Sequence, residues 1–338
     1  MLTFDPETHG ARYSPEHGPA RLSDHLPMAC HALACLGASE ERVQAFAGNS
    51  LARLVPVTGS GQGRGVLPTS CFGTRGCYAA FRSTIAESIR CRGSHEVLRE
   101  LLPRLLPGIA TAAFHGLIRT AYGIDSGCEP EIAAGLAYWA DAFEPVAIDI
   151  EDEGAISLAS SASHQLLDAT RQFARLKKDD PQGNSIHAQM LSLLGDAEVR
   201  AILSRCRLGD TQDLADIAHA ALAVFFATDG DFTALHCVTG THAARIIAPY
   251  VDDKRALYHH LWTGIVLAYL TTGKADLGRL QAILDRTAGG GPETWETLRE
   301  AAQASSDAHD IKFVFTCERE AQAYGNPHYL EAATLQMR

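Results

Sequence analysis

Histidines and one lysine stand in four separate segments whose residue types suit metal binding. The 338 residues include 15 histidines, and this excess makes a metal site worth testing because imidazole is a common metal ligand. In segment 114–123, a predicted helix places His115, Arg119 and Tyr122 on one polar stripe at positions i, i+4 and i+7. Apolar neighbours predict that this helix is mostly buried, so the stripe must be hydrogen-bonded or bound to a ligand. A structural histidine with satisfied hydrogen bonds is the plainer alternative.

Segment 235–245 carries two histidines, of which only one can face a given point. His236 and His242 are six residues apart, which is about 240° around a helix. We prefer His242 as the residue that faces a site, because Gly240 and Ala243 beside it leave room. His236 is then expected to support the site from behind or simply to be packed.

The first and last of the four segments complete the candidate set. His309 and Lys312 are three residues apart on a predicted helix, and the apolar stretch that follows places the lysine in or near the core. A buried lysine is rare unless it is paired or functional, and the alternative is a Lys312 that reaches the surface or forms a salt bridge. His25 lies in the first turn of another predicted helix, where the helix dipole favours a neutral imidazole. A capping or surface histidine is the alternative there.

The elements that must position these side chains are helices. Apolar residues recur at intervals of three and four, whereas strand patterns are limited to 51–57 and 146–150. We therefore predict an all-α fold, a single domain over 1–338, with a central metal and substrate pocket enclosed between helices far apart in sequence. The glycine-rich run 58–65 is interpreted as a surface loop. The predicted helices cover 25–36, 39–48, 77–91, 94–106, 109–123, 129–142, 163–177, 196–206, 210–228, 233–249, 254–272, 276–286, 292–304 and 307–323.

Composition and missing motifs exclude several classes of function. The net charge of −11 disfavours nucleic acid and anionic membranes as partners, and no apolar run is long enough to span a bilayer. Nine cysteines without a Cys-x-x-Cys pair, and no secretory signal, fit a reducing cytoplasm. The sequence also lacks the zincin, nucleophile-elbow, dinucleotide and P-loop motifs.

Four motifs in this order resemble the questin oxidase-like family, in particular its shorter, bacterial-type members. They are Asp-His-Leu-Pro-Met with Leu-Gly-Ala-Ser downstream, Phe-His-Gly-Leu-Ile-Arg-Thr-Ala-Tyr-Gly, Leu-His-x-Val-Thr-Gly-Thr-His-Ala-x-Arg, and Asp-x-His-x-x-Lys. The similarity spans about 20–333. It implies an oxygen-dependent oxidoreductase, since fungal members cleave anthraquinone rings during polyketide biosynthesis. It further implies non-haem iron held by His25, His115, His242 and His309, with Lys312 adjacent.

The resemblance also suggests a small aromatic, polyketide- or quinone-like substrate and dioxygen as partners. The histidine set lacks a clear carboxylate, so we hypothesise that a carbamate on Lys312 provides the anionic oxygen. If a reductant is needed, we expect NADPH that is not tightly bound. Two other functions stay open, namely a non-catalytic helical protein that binds a small hydrophobic ligand and a zinc-dependent hydrolase.

Overall fold

Helices make up almost all the regular structure of the described residues. The computed structural model describes residues 4–58, 69–146, 162–176, 183, 185–206, 208, 213–273, 277–284 and 293–338. Its helices are α1 (Pro6–Arg12), α2 (Leu26–Cys35), α3 (Glu40–Leu51), α4 (Tyr78–Arg92), α5 (Ser94–Leu105), α6 (His115–Ser126), α7 (Glu129–Ala142), α8 (Ala162–Leu176), α9 (Ile186–Leu194), α10 (Ala197–Leu203), α11 (Leu214–Ala227), α12 (Phe232–Ile247), α13 (Lys254–Thr271), α14 (Leu277–Leu284), α15 (Trp295–Ala304), α16 (Ala308–Tyr324) and α17 (His328–Gln336). Strands β1 (Glu16–His17) and β2 (Leu22–Ser23) form a small antiparallel hairpin. The predicted all-α class is confirmed.

Helices α2, α6, α12 and α16 pack in a closed circuit that carries the candidate site. Each contacts the next, α2 against α6, α6 against α12, α12 against α16, and α16 against α2. Helices α6 and α12 are buried around most of their circumference, as are α7 and α13 beside them. A helix that is buried on all sides needs mostly apolar or small side chains on every face. The interior of the circuit is therefore core, and the polar side chains inside it need partners.

Acidic N-caps fix where two of these four helices begin. The Asp231 carboxylate accepts a hydrogen bond from the backbone N–H of Thr233 at the start of α12. Asp307 caps α16 in the same way through the N–H of His309. Each cap satisfies an N–H that the helix leaves unpaired, and its negative charge suits the positive end of the helix dipole.

Glycines let α6 and α7 approach until their backbones touch. A Cβ atom added at Gly135 would lie 2.5 Å from the backbone N of Thr120, and one at Gly116 would lie 2.7 Å from the Cβ of Trp139. At Gly123 an added Cβ would lie 2.6 Å from the backbone N of Ile132. Because backbone atoms cannot give way as a flexible side chain can, these positions accept no side chain without a shift of the helices.

A left-handed turn, instead of a helix, precedes His115. Ala112, Ala113 and Phe114 have φ values of 50°, 55° and 67°, so the predicted helix 109–123 begins only at His115. Three consecutive left-handed residues cost roughly 1–2 kcal/mol each. The buried Phe114 ring compensates, since it fits against Gly240 of α12 and Gly264 of α13, where added Cβ atoms would lie 3.2 Å from it.

Other predicted elements are altered or fall outside the described residues. Helices α1, α9 and α17 were not predicted, and neither was the β1–β2 hairpin. The strand considered over 51–57 is the end of α3 followed by a single bridge between Tyr13 and Pro56. The strand considered over 146–150 and the loop 58–65 lie almost entirely outside the described residues. Within the described ranges, no helix combines the length and apolarity needed to cross a bilayer.

The contact between α6 and α7 predicts opposite effects for two glycine substitutions. Gly135→Ala should lower the free energy of unfolding by about 2–3 kcal/mol, because its methyl group meets the backbone of Thr120. Gly48→Ala, at an exposed position of α3 with open space around it, should raise it by about 0.5–1 kcal/mol. Urea unfolding of both variants checks this, and equal effects would contradict the close packing of the two helices.

Candidate metal centre

Four imidazoles and one ammonium converge inside the circuit of helices. They come from the N-cap of α2 (His25), the first residue of α6 (His115), the first turns of α12 (His236), and the first turns of α16 (His309 and Lys312). The ring centroids lie 4.7 Å apart for His25 and His115, 4.8 Å for His115 and His236, 5.6 Å for His236 and His309, and 4.4 Å for His309 and His25. We call these five residues the histidine cluster.

Three of the imidazoles are held in one tautomer by their Nδ1 atoms. His115 Nδ1 lies 2.6 Å from the carbonyl oxygen of Ala112, and His236 Nδ1 lies 2.7 Å from that of Phe232. A carbonyl can only accept, so each Nδ1 carries the proton and donates it. His309 Nδ1 likewise lies 2.9 Å from the carboxylate of Asp307. Each ring therefore keeps its lone pair on Nε2.

The Nε2 atoms of the same three histidines are buried and have no hydrogen-bond partner in the described part of the chain. A buried polar atom left unpaired costs on the order of 1–3 kcal/mol, and three such atoms in one place require an explanation. A metal ion provides one, because ligating histidines typically donate the other ring N–H to a carbonyl or carboxylate. The donor set therefore fits a metal ion that accepts imidazole nitrogen.

The charge state of the histidine cluster also suits ligation. Burial, and then the nearby charge of Lys312, lowers the pKa of His25 well below its ordinary value and that of His115 to about 3. Burial is also the main cause of the lowered pKa values of His236 and His309. Neutral imidazoles can bind a metal without first losing a proton.

Lys312 is buried one turn beyond His309, with only 2% of its surface exposed. Burial lowers the pKa of Lys312 to about 7, although the charges of Asp307 and Asp24 act in the opposite direction. A lysine with such a pKa exists partly as the neutral amine at neutral pH, and the amine is nucleophilic and able to ligate. The sequence-based placement of this residue in the core is confirmed by its burial.

A cavity of about 1180 Å³ opens onto the histidine cluster. His25, His115 and His309 line it, together with Phe232. Further walls come from the β1–β2 hairpin and from α9. The Phe232 ring is 51% exposed, and its centroid lies 4.7 Å from that of His236 and 4.5 Å from that of His309. A molecule in this cavity would contact both an aromatic ring and the imidazoles.

A comparison with known families assigns the chain to one of them. A model of the questin oxidase-like family matches residues 22–317, a range that contains every member of the histidine cluster. The chain belongs to the questin oxidase-like family. Family membership implies an oxidoreductase with oxidase or oxygenase activity. No curated protein matches the chain.

In this questin oxidase-like chain, His242 lies apart from the histidine cluster, contrary to the placement expected from the sequence. Its Nδ1 lies 2.6 Å from a carboxylate oxygen of Glu320, and its ring faces Tyr122 and Phe315. His236 stands next to the other imidazoles instead. The small neighbour Gly240, which suggested room for a site beside His242, makes room for the ring of Phe114.

The predicted stripe of His115, Arg119 and Tyr122 on α6 reaches three different surroundings. Arg119 donates two hydrogen bonds to Glu131 and lies 3.7 Å from Asp24, so it joins a buried ionic network behind His25. Tyr122 packs against His31, His242 and Phe315, away from the cluster. Residues one turn apart on the same face of a helix are separated by about 5–6 Å, so the side chains of such a stripe can contact different parts of the protein.

Sequence reasoning missed the ionic network that holds the start of α2. Asp24 accepts a hydrogen bond from His9 at 2.6 Å and another from the backbone N–H of Leu26. Burial would raise the pKa of Asp24, but His9 and Arg119 hold it below its ordinary value. The sequence signal for this network was an acidic residue close to the start of a helix. Its partners could not be predicted from local sequence, because they come from α1 and α6.

The core of this chain also contains a second ionic network, formed by Glu320, His242 and Arg245, which yields a pH-dependent prediction. Burial would raise the pKa of Glu320, but His242 and Arg245 hold it below its ordinary value of 4.5. The stabilisation is therefore present above about pH 4.5 and is lost as the pH falls through the lower, folded-state pKa. At pH 7, Glu320→Gln should lower the free energy of unfolding by about 2–4 kcal/mol, because it leaves a buried pair broken.

Urea unfolding of the parent and of Glu320→Gln at pH 7 and pH 3.5 measures this effect. The difference between the two proteins should shrink at pH 3.5, because the carboxylate of the unfolded parent is then largely protonated and folding has to remove that proton. Glu318→Gln is the matched control on the same helix, since its partner Arg299 has a side chain that is 42% exposed and the loss should be smaller. A Glu320→Gln deficit that is the same at both pH values would contradict the assignment.

Proposed function

We propose that this chain is an oxygen-dependent oxidoreductase that uses non-haem iron held by the histidine cluster. The observation that carries the proposal is that the Nε2 atoms of His115, His236 and His309 are buried and have no hydrogen-bond partner among the residues that the structure describes. Imidazole nitrogen is a ligand that iron accepts, and His25 contacts two of the three rings. Family membership supports the reaction class. Bound iron would activate dioxygen, whose direct reaction with a closed-shell organic molecule is spin-forbidden, while the electrons would come from the substrate or a reductant.

The chain's own residues would fix the geometry and the charge of that centre. The carbonyls of Ala112 and Phe232 and the carboxylate of Asp307 orient three rings through their Nδ1 protons. Each ring then presents a lone pair without having to reorient, which lowers the entropic cost of binding. The cluster itself contains no carboxylate, and only a neutral Lys312 can sit beside a cation without repelling it.

A carbamate on Lys312 is our proposal for the missing anion. When the neutral amine adds to carbon dioxide, the N–C bond forms and one C=O π bond opens, which places its electron pair on oxygen, and the nitrogen releases one proton. The product carries an anionic oxygen in place of an ammonium. The low pKa of Lys312 supports this step, because the amine and not the ammonium is the nucleophile.

We propose a flat aromatic substrate, a phenol or quinone of polyketide type, that is oxidised or cleaved. A cavity of about 1180 Å³ is large enough for several fused rings, since drug-sized sites measure roughly 300–1,000 Å³. The exposed ring of Phe232 offers a face for stacking beside the imidazoles. Arg53 and Arg75 also line the cavity and could pair with phenolate or quinone oxygens. If electrons are needed from outside, NADPH that is not tightly bound would supply them.

The metal itself is the first test. Elemental analysis of protein purified without added metal should find about one iron per chain. Zinc in the cluster would instead favour the hydrolase, and a cluster that takes up no metal would favour a binding protein without catalysis.

Two histidines of α12 provide a matched pair of variants. His236→Ala should lower iron affinity by roughly 100-fold or more, because it removes one of the converging imidazoles. His242→Ala should keep its iron while losing thermal stability, because it breaks the contact with Glu320. Iron content and melting temperature are measured on both purified proteins. Retention of iron by His236→Ala, with loss from His242→Ala, would return the ligand role to His242.

Substitutions of Lys312 test its charge. Lys312→Arg keeps a positive charge that cannot be shed and should lose the iron, whereas Lys312→Glu restores an anionic oxygen and should keep some. Lys312→Ala should fall between them, since it removes a group without adding repulsion. Iron content per folded chain is the measurement. If Lys312→Arg holds iron as well as the parent does, Lys312 does not lie beside the metal.

A further inference from the structure

A second group of ligand-type side chains lies where the C-terminal half of α2 meets the last turn of α6. His31 Nε2 lies 2.7 Å from a carboxylate oxygen of Asp125 and 3.5 Å from the sulfur of Cys35. The three ligand atoms all lie within 4.8 Å of one another. Cys35 is ten residues beyond His25 along α2, about 15 Å at 1.5 Å per residue, so this group is separate from the histidine cluster.

We propose that His31, Cys35 and Asp125 are the ligands of a second metal site, which binds Zn²⁺. One thiolate, one imidazole and one carboxylate are a set that zinc accepts, with a fourth position left for water. The thiolate and the carboxylate together balance the charge of a divalent cation. The sulfur favours zinc over hard cations such as Mg²⁺ and Ca²⁺, which prefer oxygen.

The three side chains are held on rigid elements before any ion arrives. His31 and Cys35 are four residues apart and so share a face of α2, while Asp125 comes from α6, which packs against it. The His31 ring packs edge-on against Tyr122 and Phe315, with centroids 5.9 Å away in both cases. Sites built on packed helices hold their geometry better than sites on loops.

Solvent can reach this group, unlike the deeper members of the histidine cluster. The side chains of His31 and Asp125 are 19% and 30% exposed, and Cys35 is exposed. Asp125 and Cys35 both contact the Nε2 atom of His31. A metal bound at Nε2 would therefore replace the proton in these hydrogen bonds. This shared use of one nitrogen differs from a Cys-His-Asp catalytic triad, in which the histidine uses both nitrogens.

Arg319 is a nearby group whose positive charge opposes a cation. Its guanidinium lies over the ring of Phe315, 5.3 Å from the centroid, and hydrogen-bonds to Cys35. Removing this charge should therefore tighten metal binding. Occupancy would also tie α2 to α6, the helices that position His25 and His115, so binding should raise the melting temperature.

Cobalt titration tests the site, because a thiolate bound to Co²⁺ gives a near-ultraviolet charge-transfer band that imidazole donors do not give. Iron-loaded protein should develop this band to saturation at about one Co²⁺ per chain, and added Zn²⁺ should abolish it. Cys35→Ser should lose the band, and Asp125→Asn should weaken binding tenfold or more. Arg319→Met should bind at least threefold more tightly than the parent.

Cys91→Ser is the matched control. Cys91 is also an exposed helix cysteine, but Glu87 and Arg90 lie beside it, so its surroundings offer a single carboxylate and a cation. This variant should keep the full cobalt band. Absence of the band in the parent, its survival in Cys35→Ser, or its loss in Cys91→Ser would overturn the proposal. Rapid alkylation of Cys35 without any cobalt binding would likewise overturn it and indicate a reactive thiol.

Discussion

The feature on which the rest of the arrangement depends is the set of three imidazole lone pairs in the histidine cluster that are buried without a partner among the described residues. A folded chain normally avoids such atoms, because each forfeits the hydrogen bonds that water would provide. Here they are kept in place by hydrogen bonds at the opposite nitrogen, from His115 and His236 to carbonyls and from His309 to Asp307. One of those carbonyls belongs to Ala112, whose left-handed φ is itself costly. The unpaired lone pairs and the left-handed backbone both lower the stability of the fold at this position, as is typical of functional sites.

Two buried ionic networks hold the helices that carry the cluster. Asp24, with His9 and Arg119, fixes the start of α2 directly before His25. Glu320, with His242 and Arg245, joins α16 to α12. A buried ion pair contributes little net stability over an apolar core, but breaking it is expensive, so it restricts the helices to one register. Both networks end on elements that carry a cluster histidine, which explains why polar side chains were placed in this core.

Sequence periodicity predicted the helical class and most helix positions, since apolar spacing is a local property of the chain. It failed at the start of α6, where Phe114 is left-handed and its ring packs against glycines of α12 and α13, more than 100 residues away. It also misplaced His242. Helix geometry showed that only one of His236 and His242 can face the site, but the choice depends on which neighbour Gly240 accommodates. That neighbour is Phe114, and no local pattern specifies it. Their segments singled out His25, His115, His309 and Lys312 one by one, and the resemblance to the questin oxidase-like family joined them into one predicted ligand set.

The position of the cavity relative to the cluster gives the site two different sides. His25, His115 and His309 line the cavity, whereas His236 and Lys312 lie behind them in the core. A group held between the imidazoles would therefore meet Lys312 on the buried side and the open cavity on the other side. The aromatic ring of Phe232, which touches His236 and His309 and is half exposed, stands at the boundary between the two sides.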